Sequence, residues 1–438
     1  MSRIRVAIAA VFLLGAVSAH AQDIGTPPVA GTIRPERPFR GLFGEPDDRV
    51  GRRDRFDVNF SLAASHDDNV LGDQGLQIPD PRVNTDGFYS VASVDGTYQH
   101  TGHRVTMGVG GGSSMRYYAD LKDLSAAEHH ADVHVDAALG ATHLTFAQAA
   151  QDTPFFGFHF FPETGSATGG GVATSPQPVR SEPAFLFNTT AGVTQKLSAR
   201  QELYGGYELH YTDFTTRGST DLTAHSIRGG YRYQLSSYAG LRAGYGVEQG
   251  TYGSNAETGR ARLDTIDVGI DYRRPLSFSR RTRVDFSAGT TSASTPLDGR
   301  VYRLVGDAGL THEIGRTWNL RAAVRRTSAL VDGFRAPVFS NGATVSFGGF
   351  INRRLELSTD GAYSSGDIGM TGERNPFDSR TAHARLQFGL NREFALFGEY
   401  AYYQYHFSNT DALPLGLSPN LRRSSVRVGL SLFLPVVD

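Results

Sequence analysis

Cysteine is absent from the 438 residues. That excludes a disulfide framework, a zinc-thiolate site and a thiol nucleophile, and it suits export into an oxidising space. Lysine is scarce: only Lys122 and Lys196 stand among 43 basic residues, the rest being arginine. Basic and acidic residues nearly cancel, 43 against 44, so the basic excess of a nucleic-acid binder is missing. Beyond the N-terminus no apolar run approaches the roughly 20 residues of a membrane-crossing helix. Mean hydropathy is −0.30, which excludes a helical membrane bundle. Disorder is excluded too, because aromatic residues reach 11% and net charge is only −1.

What the chain has is glycine, 51 residues against an average usage near 7%, and 46 Tyr and Phe. The N-terminus reads as an export signal. Arg3 and Arg5 precede the apolar stretch Val6–Val17, and Ala19-His20-Ala21 supplies a small-x-small cleavage site. Residues 1–21 are therefore expected to be a cleaved signal peptide. Residues 22–55 hold Pro27, Pro28, Pro35, Pro38 and Pro46 without periodicity and read as a Pro/Arg-rich periplasmic arm. Residues 56–438 form one repeating unit.

The unit is a hairpin of two alternating segments. Ala382, Ala384, Leu386, Phe388 and Leu390 share one face while Thr381, His383, Arg385 and Gln387 share the other, the pattern of a half-buried strand. Val426, Val428, Leu430, Leu432 and Leu434 oppose Ser425, Arg427, Gly429 and Ser431 in the same way, and Trp318, Leu320, Ala322 and Val324 oppose Asn319, Arg321, Ala323 and Arg325. Tight turns fall near Gly102, Gly140, Ala199, Ser236, Ser277, Gly315, Asn352 and Asn391. They recur about every 40 residues, with one longer interval, which marks a repeated supersecondary unit. The segments number 18, with 16 as the alternative count. The fold expected is all-β: a transmembrane antiparallel up-and-down β-barrel with short periplasmic turns and longer extracellular loops. A propeller would need four short strands per repeat where two long ones stand. Tyr400, Tyr402, Phe394 and Phe407, at strand ends, are expected in the interfacial aromatic girdles.

The face opposite the apolar one is charged. The expected lumen residues are Asp95, Asp132, His134, Asp136, Glu208, His210, Arg228, Arg232, Arg242, Glu248, Asp267, Asp271, Arg281, Arg283, Asp285, Arg303, Asp307, Arg321, Arg325, His383, Arg385 and Arg427. Two readings stay open: a hydrated pore whose charged rungs orient polar solutes, or cross-bracing ion pairs that fill the lumen. The Gly/Pro-rich stretch Asp152–Glu182, with Phe155, Phe156, Phe158, Phe160 and Phe161, is expected to fold inward as a constriction loop. No cofactor is implied. His130 and His134 are four apart, but in a strand that separates the rings by about 13 Å, too far for one ion, so no metal is expected. No G-x-S-x-G elbow is present. His66, Asp67 and Asp68 are the remaining combination for a hydrolase, or for calcium, and rim-loop polarity accounts for them.

The segment Ala64-Ser65-His66-Asp67-Asp68-Asn69-Val70 resembles the Tyr-Asp-Asp-Asn segment that opens barrels of the β-barrel porin 2 family, with His66 at the usual aromatic position. The resemblance spans residue 56 to the C-terminus and implies an outer-membrane β-barrel, often linked to exopolysaccharide export. The chain departs from many outer-membrane barrels in ending Leu434-Pro435-Val436-Val437-Asp438 rather than in an aromatic residue. The function expected is an outer-membrane porin-like channel passing hydrophilic solutes or secreted polysaccharide, and not an enzyme. The rival is a plugged barrel with a structural or adhesin role. Its partners would be outer-membrane lipid and lipopolysaccharide, the solute or polysaccharide, and the barrel-assembly machinery, with no nucleic acid. The pattern also allows a homo-oligomer. The location would be the outer membrane of a Gram-negative-type bacterium.

Overall fold

A computed structural model describes residues 53–70, 86–119, 125–156, 180–215, 220–253, 259–276, 279–295, 300–334, 336–369, 375–409, 413 and 418–437. The strands are β1 (Asp54–Asp67), β2 (Gly87–Thr101), β3 (Val105–Tyr118), β4 (Ala126–Leu139), β5 (Thr142–Phe156) and β6 (Arg180–Lys196). They continue with β7 (Gln201–Phe214), β8 (Leu222–Gln234), β9 (Ala239–Tyr252), β10 (Arg260–Leu276), β11 (Ser279–Ser294) and β12 (Val301–Ile314). The last six are β13 (Trp318–Ala329), β14 (Val338–Asn352), β15 (Leu355–Ile368), β16 (Asn375–Gly389), β17 (Phe394–Phe407) and β18 (Asn420–Val437). Each pairs antiparallel with its neighbours in sequence, and β1 pairs with β18 from Phe56↔Val437 to Asp67↔Ser425. The sheet closes on itself with 18 strands.

Closure follows from the alternation. Every strand contributes at least one large apolar side chain that stays exposed, among them Leu62, Ile227, Leu304 and Val428. A belt of this kind is stable only against hydrocarbon, and there every backbone group must be bonded within the sheet. Leu62, 59% exposed, tests the belt. Leu62→Arg is expected to cost about 2–4 kcal/mol if it sits near the midplane. Ser61→Arg, at the inward neighbour of Leu62, whose hydroxyl shares a hydrogen bond with Ser93 at 2.7 Å, is expected to cost far less. Urea unfolding of the barrel in lipid vesicles reads the difference, and equal costs would refute the assignment of faces.

The short turns are built by their own side chains. Asn391 Oδ1 accepts from the Glu393 and Phe394 amides at 2.8 and 2.7 Å, Asn352 Oδ1 from the Arg354 amide at 2.8 Å, and Ser236 Oγ from the Ala239 amide at 3.1 Å. These mimic a backbone turn and let the chain reverse within a few residues. Gly140 and Gly315 take φ of 66° and 64°, which other residues adopt only at a cost. Ser277 lies outside the described residues.

Three expectations are corrected. β1 begins at Asp54, with Arg55 opposite Gln99, so the strand takes in the last residues assigned to the arm. Asp152–Phe156 and Arg180–Glu182 are strand, because β5 and β6 keep pairing as far as Phe156↔Arg180; Phe158, Phe160 and Phe161 lie outside the described residues. Phe407 belongs to no lipid-facing girdle. It points inward and is 1% exposed in an apolar cluster, because it alternates with Tyr400 and not in phase with it. Tyr400 and Phe394 do face out, 44% and 40% exposed.

Candidate functional site: the lumen

The inner face is divided by height. At the end with the long loops it carries two apolar clusters beside buried polar pairs such as Asp67 with Arg423. Residues 330–334, between β13 and β14, fold into the barrel: Leu330, Val331 and Phe334 are 6%, 3% and 1% exposed. Val331 and Phe334 pack with Leu186, Phe214, Phe377, Tyr405 and Phe407, whereas Leu330 packs with Leu222, Tyr252 and Leu263. One loop therefore joins β6–β11 to β14–β18 across the opening. Its polar residue is also held. Asp332, 2% exposed, accepts from Thr212 Oγ1 at 2.7 Å and lies 2.7 Å from His210 Nε2, and the other ring nitrogen of His210 contacts Asn188 Oδ1. Glu248 accepts from the Leu330 amide. Among the described residues, the loop that enters the lumen is this one. Its signal in the sequence was an apolar composition, Leu-Val-Asp-Gly-Phe, in a segment where a rim loop is usually polar.

Below the loop many of the charges expected on the inner face are paired. Glu399, 4% exposed, lies 3.5 Å from His383 Nε2, 3.7 Å from Arg427 and 3.8 Å from Arg385; His383 Nδ1 is 3.5 Å from Asp360. Arg385 also stacks over Phe397 at 4.5 Å. Arg242 pairs with Asp267, Arg232 Nη1 with Glu202 at 2.9 Å, and Ser287 donates to Asp307. Arg228 lies along the wall between Gly206 and Gly246, and Glu208 shares the β7 inner face with His210. The side chain of Asp271 lies outside the described set.

Two walls are less balanced. On β11–β13, Arg281, Arg283 and Arg321 are exposed and out of phase with the outward Phe286 and Val324, which places them on the inner face, and with Arg303 they have no carboxylate partner among the described residues. Arg325 stands in the row of Asp307, and Asp285 opposite Gly309. On β2–β4 stand Asp95, Glu128, His130, Asp132, His134 and Asp136. Asp95 is 3.5 Å from His130, and Gln151 donates to Glu128 at 2.5 Å. Three inward glycines of β3 let this wall lie flat. A Cβ on Gly108 would strike the His134 ring at 2.2 Å, on Gly110 the Asp132 carboxylate at 2.4 Å, and on Gly112 that of Asp95 at 2.3 Å. In the ring order β3 and β12 are nine strands apart in either direction, so the acidic and basic walls face each other. His130 and His134 sit over different glycines, and among the described residues no three ligating groups converge.

The segment at the end of β1 has a structural task. Asp67 pairs with Arg423 of β18, both side chains fully buried, with Nη2 and Nε 2.5 and 2.7 Å from Oδ2. Asp68 accepts from the Ser424 amide and hydroxyl, each at 2.6 Å, and Asn69 Nδ2 donates to the Arg422 carbonyl at 3.1 Å. Asp67, Asp68 and Asn69 thereby fasten the first strand to the last.

No protein-family model matches the chain, and no curated protein matches its sequence. Solved structures do. Pseudomonas aeruginosa OpdQ aligns with TM-score 0.45 and 10% identity over 88% of this chain and 98% of that one. Pseudomonas aeruginosa OccK2 (OpdF) in complex with glucuronate aligns with TM-score 0.46 and 11% identity, over 88% and 98%. Acinetobacter baumannii OccAB1 gives 0.44 and 13%, over 88% and 97%. At these values the likeness carries nothing about a solute, and the functional reading rests on this chain's own residues.

Proposed function

We propose that the protein is an outer-membrane channel, its long-loop end outward, that passes small hydrophilic solutes through a charged lumen. The observation that carries the reading is the pair of facing walls, arginines on β11–β13 opposite carboxylates and imidazoles on β2–β4. Charged walls across a pore orient a dipolar or anionic solute by their field, and an 18-stranded barrel is wide enough to hold water between them. A secreted polysaccharide, which the family resemblance allows, would have to displace the segment 330–334, so small solutes fit the lumen better. That same segment favours the second reading, a plugged barrel with a structural or adhesin role.

Single-channel conductance of the refolded protein in a planar bilayer separates them. Steps that scale with salt support the channel. Steps seen only after the segment 330–336 is replaced by a Gly/Ser linker support the plugged barrel. No steps in either protein, with the barrel folded, would overturn conduction. The charge of the solute follows from the arginine wall. The double substitution Arg283→Glu with Arg321→Glu is expected to raise the cation-to-anion permeability ratio about twofold or more, read as a reversal potential across a salt gradient.

A further inference from the structure

The outer face carries a charged cluster that conduction does not use. In β10, Ala261 and Leu263 are buried in the inner apolar cluster, so alternation turns Arg260, Arg262, Asp264 and Ile266 outward. Arg262 holds Asp264 with Nε 3.1 Å from both carboxylate oxygens and Nη2 2.7 Å from Oδ1. Arg300, at the head of β12, brings Nη2 to 3.7 Å from Oδ2 of the same carboxylate. The Tyr245 hydroxyl donates to Oδ1 at 2.7 Å. One acid thus gathers two guanidiniums that remain 43% and 53% exposed. Arg260 is exposed on the same face, so positive charge prevails there.

Towards the short-turn end the surface below this cluster is apolar, with Ile266 and Val268 55% and 69% exposed. Tyr245 also rims a groove of about 710 Å³ lined by Val193, Leu203, Gly205 and Gly229. The register makes the groove: Tyr245 stands opposite Gly229, Gly229 opposite Gly205, and Gly205 opposite Val193. Two adjacent glycines therefore sink the lipid face between bulky rims. A Cβ at Gly205 or Gly229 would find its nearest neighbours at 3.5 and 3.6 Å, ordinary van der Waals contact, so the hollow has room for added carbon without a clash.

We infer that this is a binding site for a phosphorylated glycolipid of the outer leaflet, with its phosphate on Arg262 and Arg300 and an acyl chain in the groove beneath Tyr245. The planar fork of arginine matches phosphate oxygens two at a time. A free anion would leave the groove empty, and a soluble protein could not follow it into the apolar belt; a lipid fills both parts. The site rests on the outward placement of the long-loop end and is independent of conduction.

Native mass spectrometry of the refolded full-length barrel, titrated with bis-phosphorylated lipid A, tests it. One tightly retained lipid is expected. Arg262→Gln with Arg300→Gln is expected to weaken retention roughly a hundredfold, two charge-assisted contacts being lost. Gly205→Leu with Gly229→Leu, which fills the groove without touching the arginines, should also release the lipid. Arg380→Gln with Arg422→Gln removes equal charge from exposed positions near the same end and should leave retention unchanged. Equal loss in that control, equal retention of dephosphorylated lipid A, displacement by inorganic phosphate, or no retained lipid would each overturn the site. A β-rich circular dichroism spectrum and unaltered conductance of each variant keep misfolding and channel failure apart from loss of the site.

Discussion

Arg423→Met is expected to cost the barrel about 3–5 kcal/mol and to loosen the joint between its first and last strands. Truncating one partner of a buried ion pair leaves the other charge uncompensated, and that is the scale of the penalty. Here the orphan would be the Asp67 carboxylate, fully buried beside the small apolar cluster of Val70, Tyr89 and Tyr118. Every other pair of neighbouring strands is joined by a loop or turn, so this one is held only by hydrogen bonds and side chains. Asp68 and Asn69 reach β18 too, but through exposed contacts that are worth less. The double variant Asp67→Leu with Arg423→Met is expected to recover most of the loss, since a buried pair exchanged for apolar residues of similar size is often neutral. Urea titration in vesicles of the parent, the two single variants Asp67→Leu and Arg423→Met, and the double variant completes the cycle. A cost below about 1 kcal/mol for Arg423→Met would refute the fastening role.

Releasing the segment between β13 and β14 is expected to change conductance more than any wall substitution. Its apolar anchors dominate: Phe334→Ala alone should cost about 3–5 kcal/mol of packing, against about 1–3 kcal/mol for leaving His210 and Thr212 without Asp332. Asp332→Ala should therefore raise single-channel conductance modestly. The Gly/Ser replacement of 330–336 should raise it about twofold or more by clearing the cross-section. Unchanged steps in both, with the folded barrel verified by circular dichroism, would mean that current does not pass the place where the segment lies.

Much of this architecture was legible before the structure. The alternation of Ala382, Ala384 and Leu386 against His383 and Arg385 located β16 and both its faces, and Asn352 and Asn391 located turns that their side chains do build. Phe407 departs from the expected girdle because aromatic type at a strand end does not set a face, whereas its phase with Tyr405 and Tyr403 turns it inward. The Asp67-Asp68-Asn69 segment stood out as a motif, yet its task needed Arg423, 356 positions away.

The sequence by itself determined the strands to within a few residues, most of the lipid face and most of the short turns, because each depends on a period of two or on a few adjacent residues. Only the tertiary structure decided which loop enters the lumen, which charges pair and which walls face each other. Those depend on closure of the ring, which brings β3 opposite β12 and lets Val331 and Phe334 exchange water for the apolar side chains of distant strands.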